Sequence, residues 1–330
     1  MSELPAPAIA SDEDYARRLG DGALWEPLAR AALDRAGLEQ PAQLRPARPL
    51  GTYPTLLSDT GLVVKLFGDR WAGPQSHQAE LWAYHILDGH DLPVPRLVAA
   101  GQLFPDATGT WPWPFLIVTR LQGATYAALS ATLDPAARRQ VAGDLGRLLR
   151  RLHALPLTGG RLAPSWNRFL ALLRRRRGQA PQDHRRWEVL PPGLCRQLDG
   201  WLPDPDALVD TGRPPCFVHG DLHDEHVFLD PISRRLAGII DFTDVHAGDP
   251  RYDLVALHFG TFRTDKALLG ACLDAYGWQE RPASWPRDML ALTLLHDFNM
   301  FGPGMPLGRF ATLDDLADAI WNLDAPGLSL

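Results

Sequence analysis

Two short apolar runs, Cys216-Phe217-Val218 and Leu236 to Ile240, each lead directly into an acidic loop. The first enters His219-Gly220-Asp221-Leu222-His223-Asp224-Glu225-His226, the second Asp241-Phe242. Apolar runs this short, bounded by turn residues, read as buried strands. Both loops are therefore expected to emerge at one end of a small sheet, with two aspartates close together. A further acidic block, Gly248-Asp249-Pro250-Arg251-Tyr252-Asp253, reads as a helix opening with acidic caps, so Asp249 and Asp253 are expected to pin that helix.

Around this block the chain reads as an ordinary globular protein. It has 330 residues, 45% of them apolar and 22% charged, enough for two domains or one large two-part unit. A net charge of −6 argues against nucleic acid as the main partner and is compatible with a cationic one. Cys195, Cys216 and Cys272 are too widely spaced for a disulfide framework or a CxxC metal site. Neither a secretion signal nor a membrane-spanning run is apparent, so a cytoplasmic protein with no membrane partner is expected. Of 33 basic residues only Lys65 and Lys266 are lysine.

From Asp12 to Gly37 the spacing predicts one helix. Leu56 to Phe67 reads as two strands around Ser58-Asp59-Thr60-Gly61, Gln75 to Leu87 as a helix, and Val94 to Phe104 and Phe115 to Val118 as strands. After Gly123 the chain turns mostly helical. Asp134-Pro135 makes a helix start, followed by an apolar stripe at Val141, Leu145, Leu148, Leu149 and Leu152. Asn167 to Arg177 continues as helix. The expected class is α+β and bilobal: a small N-terminal α/β lobe over 1–120, a hinge about 118–123, a larger mainly helical lobe over 121–330, and a cleft between them.

The loops fit phosphoryl transfer. One aspartate can orient a hydroxyl and accept its proton while another holds a divalent metal against phosphate charge. His226, five residues past Asp221, can supply another metal ligand. Strand alternation puts Lys65 on one face with Val63 and Phe67, where an ammonium needs an anion; Glu80 is the candidate carboxylate. His219 is expected to brace its loop, and Lys266 to be an ordinary surface residue. Arg174 to Arg177 reads as a solvated helix face, because no aromatic interleaving accompanies it. Asp224, Glu225, Asp244, Asp265 and Asp297 are candidate contacts for a cationic substrate.

These motifs, with LWEPLARAAL (24–33), VKLFGDRWAGP (64–74), WPWPFLIVTR (111–120), RLHALPLTG (151–159), WLPD (201–204), FVHGDLH (217–223), IDFTDVHAGDPRYDLVALH (240–258) and LLHDF (294–298), resemble the aminoglycoside phosphotransferase and choline kinase superfamily. The tryptophan-rich and LHDF segments resemble the hygromycin-B 7''-O-kinase type within it. The resemblance implies a protein-kinase-like fold and an ATP- and Mg²⁺-dependent transfer of the γ-phosphate to a hydroxyl of an aminoglycoside, hygromycin B, which inactivates the antibiotic. It implies Asp221 as catalytic base and His226 and Asp241 as metal ligands. Lys65 would bind the α/β-phosphates, positioned by Glu80. Gly51 and Thr52 would lie in a phosphate-covering loop, and the backbones of Thr119 and Leu121 would meet adenine. Most relatives carry asparagine where this chain has His226, which predicts weaker Mg²⁺ affinity and an acid limb near pH 6.5 if that imidazole is unperturbed. Three other readings stand beside this one: a kinase of a macrolide, another antibiotic or a small metabolite; a metallohydrolase built on His219, His223, His226 and Asp241; and a nucleotide-binding module without activity.

Overall fold

In the computed structural model, which describes residues 4–105, 111–160, 162–278, 281–325 and 327, the chain divides into two units, Met1–Leu121 and Gln122–Leu330. The first unit begins with α1 (Asp12–Arg18) and α2 (Gly22–Arg35), not with the single helix expected. Asp21 causes the break: its carboxylate accepts the Leu24 N–H, which caps a new helix immediately after Gly20. Five antiparallel strands follow, β1 (Leu44–Pro46), β2 (Thr55–Ser58), β3 (Leu62–Leu66), β4 (Leu97–Gln102) and β5 (Pro114–Thr119), in spatial order β1-β2-β3-β5-β4. Helix α3 (Gly73–Leu87) lies in sequence between β3 and β4.

Alternation along β3 decides which side of the sheet carries chemistry. Val64 and Leu66 enter a core formed with Trp25, Leu28, Leu33, Phe115 and Ile117. Burying each such side chain is worth about 1.5–3 kcal/mol, and a one-residue slip would put Lys65 in that core. Lys65 therefore stays on the opposite face, as its strand position predicts.

The second unit starts with β6 (Ala124–Thr125), α4 (Tyr126–Leu129) and α5 (Pro135–His153). Asp134 caps α5 by accepting the Ala137 N–H, and the predicted stripe is buried. Helix α6 runs further than expected, over Asn167–Trp187, and α7 (Pro192–Cys195), α8 (Leu198–Trp201) and α9 (Pro205–Leu208) are single turns. Next come β7 (Cys216–Val218), β8 (Val227–Leu229), β9 (Leu236–Ile239) and β10 (His246–Gly248). Strand β10 pairs with β7, while β6, β8 and β9 form a second small sheet. Helix α10 (Arg251–Ala256) runs into a π-turn, Leu257–Thr261, before α11 (Lys266–Tyr276), α12 (Trp285–Leu294) and α13 (Leu313–Trp321). Among the described residues no helix is long and apolar enough to cross a membrane.

Two surface expectations are corrected. The arginine run is not a uniformly solvated face: Arg176 is buried, bonded to Asp183 at 2.7 Å and to the His296 carbonyl at 3.0 Å. Its neighbours Arg174 and Arg175 pair with Asp206 and Asp297. Lys266 is not an ordinary surface residue either. Its ammonium donates to the carbonyls of Asp318, Asn322 and Ala325 at 3.2, 2.7 and 3.2 Å, which satisfies the C-terminal end of α13.

Candidate active site

In the first unit, Lys65 Nζ lies 2.9 Å from Glu80 Oε2, with 12% and 4% of the two side chains exposed. The rings of Tyr53 and Phe67 flank the ammonium at 5.7 and 5.6 Å. Tyr53 is buried and donates its hydroxyl to the Trp71 carbonyl at 2.7 Å, whereas Gly51 and Thr52 just before it are exposed. Thr119 uses its N–H on the Arg96 carbonyl at 2.9 Å, so any ligand contact from its backbone falls to its carbonyl. Leu121 ends this unit and is half-buried.

In the second unit, β7 delivers the chain into the His219–His226 loop. Gly220 adopts φ +87°, and a Cβ there would overlap the Asp244 carbonyl, so only glycine fits. His219 is fully buried; its Nε2–H donates to the Ile240 carbonyl at 3.0 Å and its Nδ1 accepts the Asp221 N–H at 3.3 Å. With both nitrogens used, His219 braces the loop and is removed from any set of metal ligands. Asp253 holds the loop from behind. Its carboxylate accepts the N–H groups of His219 and Gly220 at 3.0 and 2.8 Å and His153 Nε2–H at 2.9 Å. His153 Nδ1 in turn accepts the Tyr276 hydroxyl at 3.1 Å. Asp249 caps the same region, bonding the Arg251 backbone and guanidinium.

The β8–β9 hairpin brings the two acidic motifs together. Val227 faces Ile239, and the Ile240 N–H donates to the His226 carbonyl at 3.0 Å, so His226 and Asp241 leave the hairpin side by side. His226 Nδ1 is 2.8 Å from the Asp221 carbonyl, and a carbonyl can only accept; Nδ1 therefore carries the hydrogen and Nε2 the lone pair. That Nε2 lies 3.6 Å from Asp241 Oδ2. Asp241 sits in the left-handed region at φ +68°, a strained backbone fixed by Thr243, whose hydroxyl donates to Asp241 Oδ1 at 2.7 Å. One neutral imidazole nitrogen facing one carboxylate oxygen is a donor set that suits a divalent cation.

Electrostatics separate these groups. Burial raises Asp221 to about 7; His223 opposes the rise, and Asp244 and Asp241 add to it. Burial lowers His226 to about 4 against the pull of Asp241, so an acid limb near pH 6.5 from this residue is not what the structure supports. His223, unassigned by sequence, stands with Nε2 3.7 Å from Asp221 Oδ2 and its ring 3.9 Å from that of His226. Asp221, His223 and His226 can each offer a ligand atom within 4.8 Å of the others.

The acidic substrate candidates divide. Asp224 is paired with Arg263 and Asp297 with Arg175, while Asp265 is the N-cap of α11. Asp244 accepts the Thr243 hydroxyl at 3.1 Å, and Glu225 is half-buried beside His223. Thr243, His153 and Tyr276 were missed by sequence reading; the first lay two residues past Asp241, a spacing at which a hydroxyl reaches back to a carboxylate.

The arrangement has solved counterparts. The GDP complex of aminoglycoside 2'-phosphotransferase-IIIa superposes with a TM-score of 0.60 over 82% of this chain and 87% of that one, at 19% identity. Aminoglycoside phosphotransferase APH(3'')-Id of Streptomyces rimosus, solved with ADP and streptomycin, gives 0.52 over 82% and 98%, also at 19% identity. These likenesses establish a shared kinase-like α+β fold. A curated relative, lysine-specific demethylase JMJ21 of Arabidopsis thaliana, is 28% identical over 218 residues. That match covers 54% of this chain but only 23% of the plant protein. The sequence signature described as the phosphotransferase enzyme family matches residues 52–288, from the loop before β2 to helix α12, and the chain belongs to that family.

Proposed function

We propose that the chain is an ATP-dependent O-phosphotransferase that moves the γ-phosphate to a hydroxyl of an aminoglycoside antibiotic, with hygromycin B as the acceptor. One observation carries this reading: Asp221, a carboxylate held near pKa 7 on a braced loop, stands beside the facing donor atoms of His226 and Asp241. Asp221 orients the acceptor hydroxyl for in-line attack and takes its proton as the new O–P bond forms and the β,γ-bridging bond breaks. Lys65 neutralises the nucleotide phosphates, and Glu80 fixes the ammonium for them. Gly51 and Thr52 cover the phosphates, and backbone groups of Thr119 and Leu121 meet the adenine. His226 and Asp241 hold Mg²⁺, which when bound supplies positive charge to the phosphates. Glu225 and Asp244, next to the Asp221 and Asp241 motifs in the chain, are the acidic groups we assign to an ammonium-rich acceptor, and Asp224 and Asp297 pair with arginines. The net charge of −6 and the solved relatives, an aminoglycoside 2'-phosphotransferase and an aminoglycoside phosphotransferase bound to ADP and streptomycin, support the acceptor class.

The test is an ADP-release screen against an antibiotic panel containing hygromycin B, with Asp221→Asn alongside. Acceptor-dependent ADP release that Asp221→Asn abolishes is expected. Release with only a macrolide or a small metabolite overturns the acceptor and keeps the kinase. Zinc in the purified protein together with no nucleotide binding overturns both in favour of a metallohydrolase.

A further inference from the structure

We infer that His223 is a positioning residue for phosphoryl transfer, an Nε2–H donor held against the Asp221 carboxylate by the π-turn that packs behind the loop. This rests on the phosphotransfer reading given above and assigns a task to a residue that reading leaves idle.

The orientation of the ring follows from its neighbours. The Glu225 N–H points at His223 Nδ1 at 3.2 Å, so a neutral ring carries its hydrogen on Nε2. Asp224 Oδ1 lies 3.6 Å from the same Nδ1, and an imidazolium would carry hydrogens on both nitrogens. In either state Nε2 presents N–H toward Asp221 Oδ2, 3.7 Å away. That is longer than a direct hydrogen bond, a separation often seen before substrate tightens a site.

What keeps the ring there is one segment. Gly260 lies in the π-turn, and a Cβ on it would stand 2.6 Å from His223 Cβ and 3.0 Å from its Cα, so the turn meets the loop with no side chain between. Thr261 Oγ1 donates to the Leu222 carbonyl at 3.4 Å, and Arg263 pairs with Asp224. Three consecutive loop residues are thus gripped by residues 260–263. The grip needs unusual backbone: a widened turn, then Arg263 and Thr264 both left-handed at φ +52° and +61°. The Thr264 N–H closes it on the His258 carbonyl at 2.9 Å. On the open side the His226 ring covers His223 at 3.9 Å.

His223→Ala, His223→Gln and Gly260→Ala are compared with the wild-type full chain, using ATP, Mg²⁺ and hygromycin B, and acceptor-free ATP hydrolysis as a second readout. His223→Ala is expected to lower kcat by roughly 10- to 100-fold while both KM values and the half-saturating Mg²⁺ stay within about twofold. His223→Gln, which keeps an N–H donor near the Nε2 position, should recover most of that loss. Gly260→Ala should reproduce the kcat defect with His223 intact. A His223→Ala kcat within twofold of wild type, equal losses in the Ala and Gln variants, or a loss cured by added Mg²⁺ overturns the inference; the last would make His223 a metal ligand. Nitrogen-15 NMR of the wild-type imidazoles at pH 8.5 reads the same claim without activity: His223 should carry Nε2–H, and an Nδ1–H tautomer overturns it. If wild type turns over ATP in neither assay while the NMR shows Nε2–H, the phosphotransfer reading has failed and the positioning task fails with it.

Discussion

Asp221 and Asp253 serve the same loop from opposite ends, and both are largely withdrawn from water, yet their carboxyls respond in opposite ways. Burial pushes each toward the protonated form. At Asp253 that push is outweighed by the hydrogen bond from His153, the nearby His219 and the Gly220 N–H, so its carboxyl lies below the ordinary range. At Asp221 the push is opposed by His223, while Asp244 and Asp241 add to it, so the carboxyl rises to about 7. Burial alone therefore does not decide what an aspartate becomes here. The number of donors facing it does: surrounded by donors it is a fixture, and nearly without them it is a base.

The sharpest way to break this contrast is Asp221→Asn. Turnover should fall by roughly 10²- to 10⁴-fold, the usual worth of a positioned base, with nucleotide binding retained. Stability should move the other way. The folded chain keeps the Asp221 proton up to about pH 7, whereas the unfolded chain releases it near 3.8, so this group's stabilisation is complete below about pH 4 and lost as pH rises through 7. Denaturant titrations at pH 5 and 8 should show that slope in wild type and a flatter one in Asp221→Asn; an unchanged slope would erase the distinction. Asp253→Ala should instead cost about 3–5 kcal/mol of unfolding free energy, because three donors lose a buried charge at once. Its own stabilisation is present above about pH 3.8 and disappears as acid protonates the carboxylate through its lowered folded value.

A smaller effect is the pH profile of kcat/KM for the acceptor. It should rise through about pH 7 with Asp221 and show no break near 6.5 from His226, whose imidazole stays neutral down to about 4. The smallest is a contrast of the same kind between cations. Lys266→Met should lose about 1–2 kcal/mol of stability, as three carbonyls lose their donor, and keep full turnover. Lys65→Arg should keep stability and lose nucleotide use, since a broad guanidinium does not replace a compact ammonium against Glu80 and phosphate.

Much of this was legible in the linear sequence because it is local. The apolar runs ending in Asp221 and Asp241 mark strand ends, and the alternation around Lys65 marks its face. The helix-opening pattern marked Asp253 as a pin but not its partners: its carboxylate holds the His219 and Gly220 N–H groups of the distant loop instead of capping its own helix. What escaped was decided by packing over long separations. Nothing periodic announces that Gly260 sits against His223, because a π-turn is one residue inserted into an otherwise helical pattern. Arg176 is buried by a carbonyl 120 residues away in the chain, whereas the run that contains it looks like any basic helix face. Lys266 looked ordinary because backbone carbonyls leave no sequence signature at all.

Lysine occurs only at Lys65 and Lys266, so reagents that acylate side-chain amines meet two targets in the whole chain. One is nearly covered beside Glu80, and the other is wrapped in the carbonyls that end α13. Acylation at Lys65 has to compete with the Glu80 carboxylate for the ammonium, which makes the rate of amine modification there a gauge of how firmly that pair between β3 and α3 is held. A chain that carries its positive charge almost entirely on guanidinium groups has, as a by-product, a built-in reporter of its own integrity.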